Sequence, residues 1–131
     1  LRIAAMELHS SPLIEWLDDS LPDLTATRQK ARVFDLVMMA AVWMHLDRQE
    51  RQTAMPNLAS LLKTGGILLM SLRHGPVPCG RRMFDVPADE TVELARAHGL
   101  REMLQMRMRS VQAANRQAGV EWTQLAFLRT Y

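Results

Sequence analysis

The chain has 131 residues, enough for one domain but not two, and 48% of them are hydrophobic, which predicts a hydrophobic core and excludes extended disorder. The formal net charge is +2, with 16 basic side chains against 14 acidic ones, so neither nucleic acid nor an anionic membrane is indicated as the main partner. The single cysteine, Cys79, excludes an intramolecular disulfide and fits a cytoplasmic location, and no apolar run approaches the roughly 20 residues of a membrane span.

The first third of the chain contains short and irregular predicted elements. Residues 1–9 are predicted to form the end of a helix, which the following Ser-Ser-Pro stops. Residues 13–17 are predicted to form a short strand, which leads into the acidic turn DDSLPDL. Residues 25–32 are polar, and their pattern allows either a helix or a loop.

The central part of the chain predicts a strand, a helix and a second strand. Residues 34–41 are almost continuously apolar, a pattern typical of a parallel strand that is buried on both faces. Asp47 and Glu50 have the spacing of a capping box, which predicts the start of a helix that the KTGG sequence at 63–66 ends. Residues 67–72 form another continuous apolar run. This order predicts a βαβ unit whose two strands are parallel and joined by a right-handed crossover.

The last part of the chain predicts a loop, a helix and a hairpin. The loop RHGPVPCGRRMFDVP is basic and rich in glycine and proline, and the residues at 88–98 are predicted to form a helix. Apolar and polar residues alternate over 104–109, and residues 120–128 form a final strand. We expect these two strands to pair as an antiparallel hairpin with the long turn SVQAANRQAG.

Three stretches resemble class I S-adenosylmethionine-dependent methyltransferases. IEWLDDSLPDL is similar to the third strand of that family and its acidic loop, FDLVMMAAVWMHLD to the fourth strand and its exit, and LASLLKTGGILLMSL to the next helix, turn and fifth strand. The predicted hairpin matches the sixth and seventh strands. The resemblance implies an α/β fold with a partial Rossmann-like sheet, strands three to seven of the order 3-2-1-4-5-7-6, mainly parallel with a C-terminal antiparallel hairpin.

The part of the family pattern that precedes the third strand is not found in the chain. None of its six glycines forms the G-x-G-x-G turn with which the family holds its cofactor. We therefore expect residues 1–131 to be a single, N-terminally incomplete domain that lacks on the order of 50 residues. Binding of S-adenosylmethionine, the cofactor that the resemblance implies, should then be poor or absent. Strand 34–41 would be an exposed sheet edge, through which we expect the chain to self-associate.

Two residues that follow the first predicted parallel strand are candidates for the site, because ligands of open α/β sheets bind beyond the carboxyl ends of the strands. His45 is the candidate catalytic residue, as a base or as a group that orients the substrate. Its alternative is a bond to the backbone. Trp43 is a candidate substrate contact, and its alternative is to pack beneath the following helix.

The resemblance implies five cofactor contacts: Asp19, Ser20, Leu21, Ala41 and Val42. The carboxylate of Asp19 would accept a hydrogen bond from the adenine amine, and backbone N–H groups beside it would serve a ring nitrogen. Ala41 and Val42 would line the cofactor cleft. The alternative for Asp19 is a solvated turn in which its carboxylate caps the backbone.

Four basic side chains after residue 72 are candidate substrate contacts: Arg73, His74, Arg81 and Arg82. Guanidinium groups at this rim would bind a carboxylate or phosphate of the substrate, whereas the alternative is an ordinary solvated loop. The four histidines of the chain do not have metal-ligand spacing, so no metal site is predicted.

The function that the resemblance implies is methylation of an unidentified substrate by S-adenosylmethionine, with a small molecule favoured as the substrate. A second hypothesis is a non-enzymatic Rossmann-like module for binding or oligomerisation. A dehydrogenase fragment fits less well, because the terminal antiparallel hairpin is the pattern of the methyltransferases.

Overall fold

The computed structural model describes residues 1–131, which form five helices and four strands. The helices are α1 (Arg2–Leu8), α2 (Thr25–Gln29), α3 (Arg48–Ser60), α4 (Ala88–Ala97) and α5 (Ala113–Gln117). The strands are β1 (Phe34–Met39), β2 (Leu62–His74), β3 (Leu100–Arg109) and β4 (Glu121–Arg129). One turn of 3-10 helix, Trp43–His45, lies between β1 and α3.

The four strands form one mixed sheet in the order β1-β2-β4-β3. β1 and β2 are parallel neighbours, with Leu36 beside Ile67 and Met39 beside Met70. β4 is antiparallel to both β2 and β3, so β1, β2 and β3 all run in the same direction. The predicted α/β class, the parallel pairing of the two central strands and the antiparallel C-terminal hairpin are therefore confirmed.

The hydrophobic core lies on one face of the sheet, beneath α3 and α4. Alternate residues of β2 point into it, as expected for a strand with one covered face. The capping box of Asp47 and Glu50 begins α3, and both of its reciprocal hydrogen bonds are present at 2.8 Å. The largest fully buried side chains of the core are Trp43, Phe127, Met55, Leu62, Leu68, Leu72, Leu100 and Leu125.

The opposite face of the sheet is largely open. In β1, Leu36 is 50% exposed and Met38 is 65% exposed, and the apolar side chains of β3 after Leu100 are exposed as well. The prediction that residues 34–41 are buried on both faces is therefore wrong, because the helices packed on the sheet cover only one of its faces. The expectation that this strand lies at the edge of the sheet is correct.

Two further predictions differ from the structure. Residues 13–17 do not form a strand, because they pair with no neighbour, and Leu13 is 93% exposed. Helix α3 ends at Ser60 rather than at the KTGG sequence, which lies inside β2 at a shift in its register with β1. A Cβ at Gly66 would stand 2.9 Å from the carbonyl oxygen of Lys63 and 3.0 Å from that of Phe34, so glycine is required for close backbone approach.

Candidate functional site

The chain leaves β1 through a tight turn that is fixed by the neighbouring parallel strand. The backbone N–H of Ala41 donates a hydrogen bond of 2.8 Å to the hydroxyl of Ser71 in β2. Ala41 has a φ of 56°, a left-handed conformation that costs a non-glycine residue about 1–2 kcal/mol. Because the hydroxyl of Ser71 accepts a hydrogen bond from the strained residue Ala41, the direction in which the chain leaves the sheet is well defined.

A cleft of about 260 Å³ opens beside this turn. Its near wall is built from Ala40, Ala41 and Ser71, small side chains that leave room for a ligand to approach the backbone. Val42 does not line the cleft and packs against the core instead. Arg109 is the one charged residue among those that line the cleft, and its side chain forms no hydrogen bond or ion pair. Sequence analysis missed Ser71 and Arg109, because each lies in a pattern that also fits an ordinary strand.

The predicted adenine contact at Asp19 lies in a turn that its own carboxylate organises. One carboxylate oxygen accepts the Ser20 N–H at 2.9 Å, and the other accepts the N–H and the hydroxyl of Thr27 at 2.7 and 2.6 Å. The hydroxyl and N–H of Thr27 hold the pKa of the Asp19 carboxyl below its usual range. Leu21 packs against the core. The capping alternative for Asp19 is therefore present, and it leaves one free lone pair, on the oxygen that accepts from Ser20.

The structure separates the two candidates that follow the turn. Trp43 is fully buried, and its indole N–H donates to the hydroxyl of Thr91 at 3.2 Å. A side chain without exposed surface does not meet a substrate, so the position of Trp43 corrects its predicted substrate role to packing beneath the helices. His45 is exposed, with Nδ1 3.1 Å from the carbonyl oxygen of Arg82.

The guanidinium of Arg82 is already occupied by partners within the chain. It donates to the carbonyl oxygen of His45 at 2.7 Å, to Glu50 at 3.0 Å and to Asp47 at 3.1 Å, and it lies over the Phe84 ring at 5.2 Å. Two carboxylates more than offset its positive charge, so the predicted capture of a substrate anion does not fit its position. Arg82 instead ties the loop after β2 to the start of α3.

The other three candidates of this loop are used in different ways. The guanidinium of Arg73 donates to the carbonyl oxygen of Pro76 at 2.9 Å, whereas Arg81 is exposed and has no side-chain partner. His74 is 7% exposed, with Nδ1 3.1 Å from Asp85 and Nε2 2.7 Å from the hydroxyl of Thr123. The loop thus does not gather its basic groups into one anion site.

No group of three or more His, Cys, Asp and Glu side chains is arranged to hold a metal ion. None of the five helices combines the length and the hydrophobicity needed to cross a lipid bilayer.

The stabilising role of the Asp19 carboxylate predicts a pH dependence. A carboxyl with a lowered pKa in the folded state contributes stability above its unfolded pKa of about 3.9, and this contribution is lost as the pH falls through the folded pKa. We expect Asp19→Asn to lower the free energy of unfolding at pH 6, and the difference from the wild type to shrink below pH 4. Urea titrations at several pH values measure this difference. Asp18→Asn is the control, since Asp18 accepts no hydrogen bond, and an equal pH-dependent loss in both variants would contradict the assignment.

The chain matches no protein-family model and no curated protein, but solved structures share its fold. An O-methyltransferase family protein from Burkholderia thailandensis matches 98% of this chain with 39% of its own, at a TM-score of 0.66 and 19% identity. The 1,6-didemethyltoxoflavin-N1-methyltransferase of Burkholderia thailandensis, with bound 1,6-didemethyltoxoflavin and S-adenosylhomocysteine, matches 75% of this chain with 44% of its own. The TM-score of this match is 0.61 and the sequence identity is 18%. The N-methyltransferase NodS from Bradyrhizobium japonicum WM9, in complex with S-adenosyl-l-homocysteine, matches 77% of this chain with 48% of its own. The TM-score of this match is 0.57 and the sequence identity is 22%.

All three sequence identities are low, so the likeness concerns the fold alone. The chain spans less than half the length of each of these structures. The fold of residues 1–131 resembles that of class I S-adenosylmethionine-dependent methyltransferases, as the sequence predicts.

Proposed function

We propose that residues 1–131 are part of an S-adenosylmethionine-dependent methyltransferase that acts on a small molecule. The observation that carries this proposal is the sheet order β1-β2-β4-β3 with β4 reversed. It fits strands four, five, seven and six of the methyltransferase sheet. The neighbours with bound S-adenosylhomocysteine support the choice of cofactor, and 1,6-didemethyltoxoflavin in one of them supports a small substrate.

The proposed cofactor contacts are Asp19, Ser20, Leu21, Ala41 and Val42. Leu21 and Val42 would take part through their backbones, because their side chains pack against the core. The small side chains at the exit of β1 would leave room for the cofactor, and the one free lone pair of the Asp19 carboxylate would accept a hydrogen bond from its adenine amine. The glycine turn that would hold the rest of the cofactor is not among residues 1–131. We therefore propose that the full-length protein supplies this turn elsewhere, and that the 131-residue chain alone binds the cofactor poorly.

In the proposed reaction the cofactor supplies an activated methyl group, and the protein aligns the acceptor atom with it. His45 is the proposed base that removes a proton from the acceptor, because its imidazole is exposed beyond the end of β1. Arg81 is the basic side chain of the neighbouring loop that is free to meet an anionic group of a substrate. Trp43 and Arg82 support this region from within, and we assign them no direct contact with the substrate.

Binding of S-adenosylhomocysteine tests the proposed cofactor site. We expect S-adenosylhomocysteine to raise the Tm of the full-length protein. The Tm of the 131-residue chain should shift little or not at all, because this chain would contact only part of the ligand. Asp19→Ala should reduce the shift in the full-length protein. Thermal-shift titrations measure both effects, with NADH as the control ligand for a dehydrogenase. No shift with the full-length protein would favour a non-enzymatic module.

Turnover tests the role of His45. In the full-length protein we expect His45→Ala to lower the rate of S-adenosylhomocysteine release by roughly 10²- to 10⁴-fold, the usual contribution of a positioned base, with little change in cofactor affinity. The rate is measured with a panel of hydroxyl- and amine-bearing acceptors. His9→Ala is the matched control, since His9 is exposed near α1. Unchanged turnover in His45→Ala would remove this histidine from the chemistry.

We also propose that the 131-residue chain self-associates through the open edge of β1. An open strand edge presents unpaired backbone groups, and charged side chains are the usual protection against its pairing. Asp35 is the one charged residue of β1, whereas β3, the other edge strand, carries several. A second copy of β1 is therefore the proposed partner.

Light scattering at increasing concentration tests this self-association. We expect a mass above the 14.9 kDa of the monomer, and Leu36→Lys should restore the monomer by placing a charge on β1. Met106→Lys, on the opposite edge strand, is the control and should leave the association unchanged. A wild-type chain that stays monomeric at high concentration, with native-like spectra, would contradict the proposal.

A further inference from the structure

The hydrogen bond of His45 determines which of its ring nitrogens carries the proton. Nδ1 lies 3.1 Å from the backbone carbonyl oxygen of Arg82, and a carbonyl oxygen only accepts hydrogen bonds. The hydrogen must therefore be on Nδ1, and in a neutral imidazole the other nitrogen, Nε2, then has a free lone pair. We infer that Arg82 is a positioning residue that holds His45 in the Nδ1–H form and leaves Nε2 as the proton acceptor.

The carbonyl group of Arg82 is held in place by a closed set of bonds. The guanidinium of Arg82 donates back to the carbonyl oxygen of His45 at 2.7 Å, so each residue binds the backbone of the other. The same guanidinium is anchored to Asp47 and Glu50, which also cap α3. Two residues further on, the Phe84 N–H donates to the carbonyl oxygen of Met44 at 2.8 Å.

The charged groups near His45 are paired with one another rather than with its imidazole. Asp47 and Glu50 bring two negative charges and Arg82 one positive charge to this corner. All three are engaged with one another, and the imidazole itself pairs with a neutral carbonyl. The ring is therefore oriented by a hydrogen bond rather than by an ion pair.

This arrangement narrows the class of substrate, and here the inference rests on the proposed methyl transfer. Nε2 accepts a hydrogen bond, so it recognises an acceptor atom that still carries a proton, a hydroxyl or an amine. With the cofactor bound, its sulfonium would supply the methyl group and S-adenosylhomocysteine would leave, while Nε2 of His45 would accept the proton of the attacking oxygen or nitrogen. A carboxylate, which has no such proton, would gain nothing from His45.

Histidine NMR tests the inference without cofactor or substrate. In the full-length protein with ¹⁵N-labelled histidine at pH 8, long-range ¹H–¹⁵N correlation should show a protonated Nδ1 and an unprotonated Nε2 for His45, assigned by the signal lost in His45→Gln. Arg82→Gln should remove this preference and give a mixture of tautomers, and Arg82→Lys should restore it only in part. Arg48→Gln, at an exposed residue of α3 without side-chain partners, is the matched control and should leave the tautomer of His45 unchanged.

Two results would overturn the inference: an Nε2–H form of His45 in the wild type, or an unchanged Nδ1–H form in a folded Arg82→Gln variant. Because the spectra need no turnover, they separate the inference from the proposed function. The Nδ1–H form together with unaltered turnover in His45→Ala would keep the positioning role of Arg82 and reject methyl transfer through His45. Loss of turnover in His45→Ala together with an Nε2–H form in the wild type would keep methyl transfer through His45 and reject the positioning role of Arg82.

Discussion

The parallel pairing of β1 with β2 is the constraint on which the rest of the structure depends. It brings the carboxyl ends of both strands to one edge of the sheet, where Ser71 reaches the backbone of Ala41. The strained turn at Ala41 needs such an external partner, because its left-handed conformation is unfavourable by itself. The positions of His45 and of the cap of α3, which follow next along the chain, depend on the direction of this turn.

The segment beyond the turn is fixed by several independent contacts. Trp43 is anchored in the core through Thr91, and Arg82 fastens the next turn to the loop after β2. The indole N–H of Trp43 and the guanidinium of Arg82 are therefore engaged in hydrogen bonds within the chain and are not available to a ligand. His45 is the exception, since its ring is held at one nitrogen and exposed. Preorganisation of this kind fits the role of proton acceptor that we propose for His45.

The sequence predicted the elements better than the partners of their side chains. Continuous apolar runs and a capping box are local patterns, so β1, β2 and the start of α3 were found from them. Whether an apolar strand is covered on one face or two depends on other elements, and the exposed Leu36 and Met38 could not be distinguished from core residues. The hydrogen bond of His74 to Thr123 could not be predicted either, because Thr123 lies 49 residues further along the chain. Arg82 had the sequence context of a free loop cation, and only the folded chain brings two carboxylates to it.

The claim that the exit of β1 is a cofactor site can be measured directly by ¹H–¹⁵N chemical-shift mapping of the full-length protein with S-adenosylhomocysteine. A site at this rim predicts saturable shifts at the backbone amides of Ser20, Ala41 and Val42, with Ser71 shifting alongside because its hydroxyl holds Ala41. Saturable shifts confined to other parts of the protein, with these four amides unmoved, would contradict the placement of the site and the role given to the parallel strand pair.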